Sequence, residues 1–204
     1  MKKEYHIIGR RGAGSLIAEF LFEEIDVPYT IEFPGLKENK NLVHPLGKIP
    51  ILICPDGNRI YETLAIINHI THRFDRLSPK SDSIFFDRYW QFLSLLATSV
   101  YPAYHRQHHS RYYVPEHAYE ELRSRAKSEQ ALIYDYIENE LNPFICKDNI
   151  TAADFYLYML TRWDLDKTSL RENRPKLTFL IDTVRNRPSV AKVLEGQKKY
   201  IKSV

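Results

Sequence analysis

Cysteine is scarce in this chain of 204 residues: there are 2, Cys54 and Cys146, far apart and without partners at metal-ligand spacing. That argues against a disulfide framework and for a reducing compartment. Long hydrophobic runs are missing as well. No stretch approaches the roughly 20 apolar residues that a membrane-spanning helix needs. Neither sign of charge dominates. Lys and Arg number 29 against 26 Asp and Glu, a net charge of +3, too little to argue for nucleic acid or a membrane surface. The basic run Lys198-Lys199-Tyr200-Ile201-Lys202 reads as a solvated helix end. The opening Met1-Lys2-Lys3-Glu4-Tyr5-His6 has charges but no apolar h-region, so no signal peptide is expected and the location reads as cytoplasmic. Internal repeats and low-complexity tracts are absent.

What is present is an ordinary globular composition, 44% hydrophobic and 27% charged, long enough for one large domain or two modest ones. The first part alternates strand and helix patterns. Tyr5 to Ile8 reads as a strand, and Leu16, Ile17, Phe20, Leu21 and Ile25 fall at helical spacing. Asp26-Val27-Pro28 stops that helix, and Tyr29 to Phe33 reads as a second strand, parallel to the first. Leu36 to Val43 reads as one helical turn in a loop. Ile51 to Ile53 and Arg59 to Tyr61 flank the turn Pro55-Asp56-Gly57-Asn58 and read as a hairpin. Glu62 to Phe74 is then a helix. After a polar linker the pattern is wholly helical, over 84–104, 115–140, 152–163, 175–185 and 189–199. The expected organisation is an α/β domain over 1–75, a linker over 76–82 and an all-α domain over 83–204. One helix start is strongly specified. Thr151 is a hydroxyl N-cap, Asp154 an acid three residues on, and Ile150 and Phe155 are staple residues.

Two short motifs carry chemistry. In His44-Pro45-Leu46-Gly47-Lys48-Ile49-Pro50, a cis bond before Pro50 would turn Ile49 outward and free its N–H and C=O for an extended peptide. A trans proline that merely opens a strand fits the residues equally well. In Tyr61-Glu62-Thr63-Leu64-Ala65-Ile66, a helix start with an acid and a hydroxyl could hold a ligand carboxylate and a ligand ammonium. Plain capping is the competing explanation.

Together these motifs resemble the glutathione-binding half of the cytosolic glutathione transferases. That family has a thioredoxin-like N-terminal domain with a cis proline after an Asn-Pro-x-Gly-x-Val-Pro type turn, then a Glu-Ser-x-Ala-Ile helix start. The Thr151 to Asp154 box and Arg187-Pro188-Ser189-Val190 are similar to the family's helical-domain box and last-helix opening. The segment Gly12-Ala13-Gly14-Ser15-Leu16 resembles the Gly-Ala-Cys-Ser-Leu of the bacterial beta class, with Gly14 where that class has its cysteine. The resemblance implies the glutathione transferase fold, an α/β thioredoxin-like domain followed by an all-α domain.

It also implies a site. Glutathione would lie along Ile49 and Pro50 with its γ-glutamyl end at Glu62 and Thr63. Lys48, with Arg11 or Lys40, would neutralise its glycyl end. The Ser15 hydroxyl would donate to the thiolate; Tyr5 is a lesser candidate. Each unit by which the thiol pKa is lowered needs about 1.4 kcal/mol, the order of one hydrogen bond to a charged group. The helix through Tyr101 and Pro102 resembles the beta-class helix that carries His and Lys there, which leaves Tyr101 as a phenol donor. Tyr104, His105 and His108, with Tyr112 and Tyr113, would form an aromatic wall between the domains for a small hydrophobic electrophile. The implied activity is glutathione conjugation or peroxide reduction, a detoxification chemistry, with glutathione as co-substrate and no tightly bound cofactor or metal. A homodimer is implied too. A non-catalytic binding protein of this fold, or a glutathione-dependent isomerase, dehalogenase or lyase, is the alternative.

Overall fold

The computed structural model describes residues 4–34 and 44–199. The expected helical turn over 36–43 and the candidate Lys40 lie outside them. The chain divides into two compact units, Met1–Ser78 with Arg185–Val204, and Pro79–Val184.

The first unit is built on a mixed sheet in the order β2-β1-β3-β4. Strand β1 is Tyr5–Ile8, β2 is Tyr29–Glu32, β3 is Ile51–Ile53 and β4 is Arg59–Tyr61. Strands β1 and β2 are parallel, with Ile7 opposite Ile31. They are joined through helix α1, Leu16–Glu24, as a βαβ crossover requires. The other two pairings are antiparallel, with Leu52 opposite Ile7 and Ile60. Helix α2, Thr63–Phe74, follows β4 directly. The four strands and both helices stand within a residue or so of where the apolar spacing put them.

The order of the chain and the division into units part at Arg185. The last helix of the second half (α9 below) lies with the first unit, although it follows the helical segments in sequence. The reason is written in α1. Leu16, Ile17, Ala18, Phe20, Leu21 and Phe22 are fully buried, and Glu19 is nearly so. A helix apolar on all sides needs cover on all sides. The sheet cannot supply it alone, and α9 packs against α1 through Val190 and Val193. An ion pair fixes the arrangement. Arg187 and the Ser189 hydroxyl both donate to the Glu24 carboxylate at the end of α1. Arg187 thereby offsets an acid at a helix C-terminus, the unfavourable end for negative charge.

The second unit holds helices α3, Phe86–Leu95, α4, Tyr101–His108, α5, Tyr119–Glu140, α6, Ala152–Thr161, α7, Lys167–Arg171, and α8, Pro175–Arg185; α9, Pro188–Lys199, completes the series. Between α3 and α4 the helix runs on as a π-helical segment, Leu96–Val100. Pro102 explains it: proline has no N–H to give to the preceding turn, and a widened turn accommodates the break. The single helix expected over 84–104 is therefore this broken element, extended to His108. Helix α7 was not expected. It is one short turn capped by Asp166, which accepts from the Ser169 N–H at 3.0 Å, and so carries almost no periodic signal. Helix α6 is buried along its whole length. Asp154 accepts from the Thr151 N–H at 2.8 Å and the Thr151 hydroxyl at 2.8 Å, closing the expected capping box. It also accepts from the Ile145 N–H at 2.9 Å. Among the described residues no helix is long and apolar enough to cross a membrane.

Candidate functional site

Three segments of the first unit converge. The first is the loop from β1 to α1. The second is the turn into β3, where the Ile49-Pro50 bond is cis. The third is the start of α2. They meet at Gly14. A methyl group built on Gly14 would lie 3.7 Å from Pro50 Cδ and 3.8 Å from Thr63 Oγ1, ordinary contact distances. A side chain at position 14 would thus stand against both motifs that sequence reasoning singled out.

The turn before Pro50 is held by a residue whose part was not anticipated. His44 is buried, and its Nδ1 accepts the Leu46 N–H at 2.9 Å while its C=O accepts the Gly47 N–H at 2.9 Å. Its ring packs edge-on against Tyr61, with centroids 4.7 Å apart. Gly47 takes φ +61, which glycine adopts without steric cost. Past this turn, Pro50 is buried, Ile49 is half-buried and Lys48 is exposed. Among the described residues, neither the N–H nor the C=O of Ile49 has a hydrogen-bond partner. That leaves the backbone donor and acceptor of one residue open for pairing.

At the start of α2, the capping explanation fails. The N-cap residue, Glu62, makes no side-chain capping hydrogen bond. Glu62 takes φ 67 and ψ 130, a region that residues with a Cβ rarely adopt. Such an outlier persists only where its surroundings over-determine it, and it is a mark of functional positions. Its carboxylate is exposed and Thr63 is half-buried. An uncapped helix start presents backbone N–H groups and the positive end of the helix dipole. Beside it stand one carboxylate and one hydroxyl. This set can take a zwitterionic amino-acid group.

Ser15 is placed otherwise than a thiolate donor requires. It is fully buried, and its hydroxyl donates to the Arg10 C=O at 3.0 Å while accepting the Arg10 N–H at 3.3 Å. It faces inward, against Gly9: a Cβ on Gly9 would stand 2.4 Å from Ser15 Oγ. The serine is a pin inside the loop. Tyr5 is likewise buried, its OH 3.2 Å from His69 Nε2. His69, expected on the surface, is half-buried and also lies 3.5 Å from Cys54 Sγ. Burial pushes the Cys54 thiol up and the His69 imidazole down. Arg11 is half-buried, with its guanidinium 5.8 Å from the centre of the Phe33 ring.

The candidates for the second substrate lie in the second unit and separate into two kinds. Tyr104 is core rather than wall. It is 1% exposed, its OH 2.9 Å from that of Tyr134 and donating to Asp164 at 3.0 Å. Burial and these neighbours raise its phenol well above the usual tyrosine range. Tyr101, by contrast, is 40% exposed at the start of α4, with its ring 5.9 Å from those of both His105 and Trp163. His105 Nδ1 lies 2.7 Å from the Tyr113 OH. His108 Nε2 donates to the Trp163 C=O at 2.9 Å. Tyr112 stacks on His105 and His109. Tyr101, His105, Tyr112 and Tyr113 therefore do form one aromatic surface. Among the described residues no group of three or more His, Cys, Asp or Glu side chains is placed to hold a metal ion.

Residues 105–197 match the family described as glutathione S-transferase, C-terminal domain. The solved structures agree over nearly the whole chain. A glutathione transferase homologue from Sulfitobacter, with bound glutathione, superposes with a TM-score of 0.85 at 20% identity, covering 95% of this chain and 98% of that one. The fold is the glutathione transferase fold. A glutathione transferase from Phanerochaete chrysosporium, solved with oxidised glutathione, gives 0.85 at 17% identity, covering 99% and 98%. The nitrogen regulation fragment of the yeast prion protein Ure2p gives 0.80 at 19% identity, covering 96% and 98%. No curated protein matches the chain in sequence.

Proposed function

We propose that this protein binds glutathione in its first unit and uses it as the nucleophile in a transferase reaction on a small hydrophobic electrophile. The observation that carries the reading is the convergence at Gly14 of the cis Ile49-Pro50 turn and the uncapped start of α2. Glutathione has a peptide backbone, a γ-glutamyl zwitterion and a thiol between them. The open N–H and C=O of Ile49 suit the backbone. The α2 N–H groups with Thr63 suit the γ-glutamyl carboxylate, and the Glu62 carboxylate suits its ammonium. Lys48 and Arg11 are the proposed counter-charges for the glycyl end. The sulfur would then lie toward Gly14. Glutathione bound in related folds supports the choice of ligand.

The thiolate needs a stabiliser, and the Ser15 hydroxyl is already spent on Arg10. In this reading Ser15 acts through the loop it pins, and the backbone at the start of α1 faces the sulfur. Tyr101, His105 and His108 are the proposed contacts of the electrophile, with the Tyr101 phenol as a donor. The working form is proposed to be a cytoplasmic homodimer.

A second reading keeps the binding and drops the chemistry. Gly14, where the beta class has its cysteine, together with the inward Ser15, favours it. So does the likeness to a fragment named for nitrogen regulation. Calorimetry with reduced glutathione is the first test. Absence of binding up to millimolar concentration would refute both readings. Binding without turnover of an activated chloroarene or a hydroperoxide would refute the transferase and leave the binding protein.

A further inference from the structure

The loop that would face the sulfur is tied from outside by the last helix of the chain. Gly12 takes φ +65 and donates its N–H to Gln197 Oε1 at 2.9 Å. The Gln197 amide then donates from Nε2 to Glu19 Oε1 at 2.8 Å. One side chain of α9 thus bridges the loop and a carboxyl buried in α1. Glu19 is 3% exposed in a helix that is otherwise apolar there. A buried carboxyl costs several kcal/mol unless something partners it, and packing alone would be served by leucine. We infer that Gln197 is a positioning residue for the glutathione-facing loop, with Glu19 as the anchor that holds its amide in register; this rests on the binding site proposed above.

The bridge has a charge state. Burial pushes the Glu19 carboxyl up to about 8; the Gln197 hydrogen bond opposes the shift and Glu23 adds to it. The groups that bear on Glu19 are Glu23 on α1, Tyr29 on β2, and Gln197 on α9. Lys192, also on α9, is engaged by Glu23 at 2.7 Å. Tyr29 brings no positive charge. Its own phenol is driven upward by burial and by Glu19 and Glu23. Near neutral pH Glu19 is therefore protonated and the bridge is uncharged. Once ionised, the carboxylate has, among the described residues, one side-chain donor, Gln197, and a like charge close by. Water admitted between α1 and α9 is the remaining way to solvate it. That separates Gln197 from Gly12 and loosens the loop.

Two measurements test this. The first is independent of any ligand: amide hydrogen exchange of Gly12, in wild type and in Gln197→Met, which keeps length and volume but removes both hydrogen bonds. Exchange at Gly12 at least tenfold faster in the variant is expected; equal exchange in two folded proteins overturns the bridge. The second is calorimetry with S-hexylglutathione, a thioether without a titrating thiol, at pH 6.5 and pH 9 in wild type and Glu19→Gln. The affinity of wild type should fall several-fold more across that range than that of Glu19→Gln. Parallel curves would remove Glu19 from the device. If wild type does not bind S-hexylglutathione at all, the proposed binding site falls, and the exchange measurement still decides whether the bridge exists.

Discussion

Asp154 ties the start of α6 to the segment before it, and removing it has a calculable effect. It is fully buried, and its two oxygens accept from the Ile145 N–H, the Thr151 N–H and the Thr151 hydroxyl at 2.8–2.9 Å. In Asp154→Ala two backbone N–H groups lose their acceptor in a site closed to water. Each stranded donor costs about 1–3 kcal/mol, so a loss of about 2–6 kcal/mol is expected, a large fraction of the ~5–15 kcal/mol that holds a typical domain. Both tryptophans, Trp90 and Trp163, belong to the same unit, so urea unfolding followed by their fluorescence reports on it directly. At a urea slope of about 2 kcal/mol/M, the midpoint should fall by about 1–3 M. The pH dependence gives a second handle. Burial raises the carboxyl from its ordinary 3.8 to about 6, against the pull of its hydrogen bonds to Ile145 and Thr151. Between those values the folded protein holds the proton more than the unfolded chain does. The stability associated with this proton is complete below about 3.8 and is lost as pH rises through about 6. The loss comes to roughly 3 kcal/mol. Asp154→Asn cannot titrate, so the wild-type advantage over it should shrink between pH 4 and pH 7. Midpoints of the two proteins that run parallel over that range, or an Asp154→Ala midpoint within ~0.2 M of wild type, would refute the reasoning.

The remaining predictions concern the first unit. Glu62→Ala should weaken glutathione binding by about 2 kcal/mol or more, since a ligand ammonium loses its charged partner; a calorimetric change of a few tenths would contradict the proposed pose. Gly14→Cys should give the protein a thiol that attacks oxidised glutathione, forming a mixed disulfide between the introduced sulfur and one glutathione and releasing one equivalent of reduced glutathione. Intact mass should rise by one glutathionyl group, and no adduct would move the sulfur away from Gly14. Gly9→Ala should destabilise strongly because its methyl would stand 2.4 Å from Ser15 Oγ, and adding Ser15→Gly should recover part of the loss; thermal melts of the single and double variants decide. Ser15→Ala should lower stability through the freed Arg10 backbone, about 1–2 kcal/mol, while the pH–rate profile of any turnover keeps its midpoint.

Much of this was legible in the sequence because it depends on local rules. Four strands and α1 and α2 follow from period-2 and period-3.6 spacing between clear breakers. The capping box at Thr151 follows from two residues three apart. What spacing could not carry was contact across the chain. Nothing near Gln197 announces that it reaches Gly12 and Glu19, and α9 joins the first unit because α1 is buried on every side and carries the acids that its polar residues meet. That clue was present in Leu16 to Phe22, where seven successive residues contain one acid. Tyr104 misled for a related reason. Its i,i+4 spacing to His108 does bring those two rings together, 6.3 Å apart, but Tyr104 stands about 100° round the helix from His105 and lies in the core beside Tyr134.

The same one-residue difference decides how the chemistry at the first helix is read. Gly14 and Ser15 are neighbours in a segment that resembles Gly-Ala-Cys-Ser-Leu, and the hydroxyl drew attention because it is the reactive group that remains. In space the roles are reversed. Position 14 looks onto Pro50 and Thr63, and position 15 looks onto Gly9 and the Arg10 peptide. A cysteine at position 14 would stand in the site, whereas the serine beside it serves the loop. Having glycine at position 14 therefore removes a reactive atom from the site without disturbing the scaffold around it. The scaffold carries features that stability alone does not require. Glu62, at the start of α2, holds a backbone conformation unfavourable for a side-chain-bearing residue. Such a cost makes sense in the proposed site, where a ligand would occupy the open groups. Position 14 offers no thiol beside those groups, so the proposal has two separable parts, the binding of glutathione and the stabilisation of its thiolate, and Gly14→Cys and Ser15→Ala test them apart.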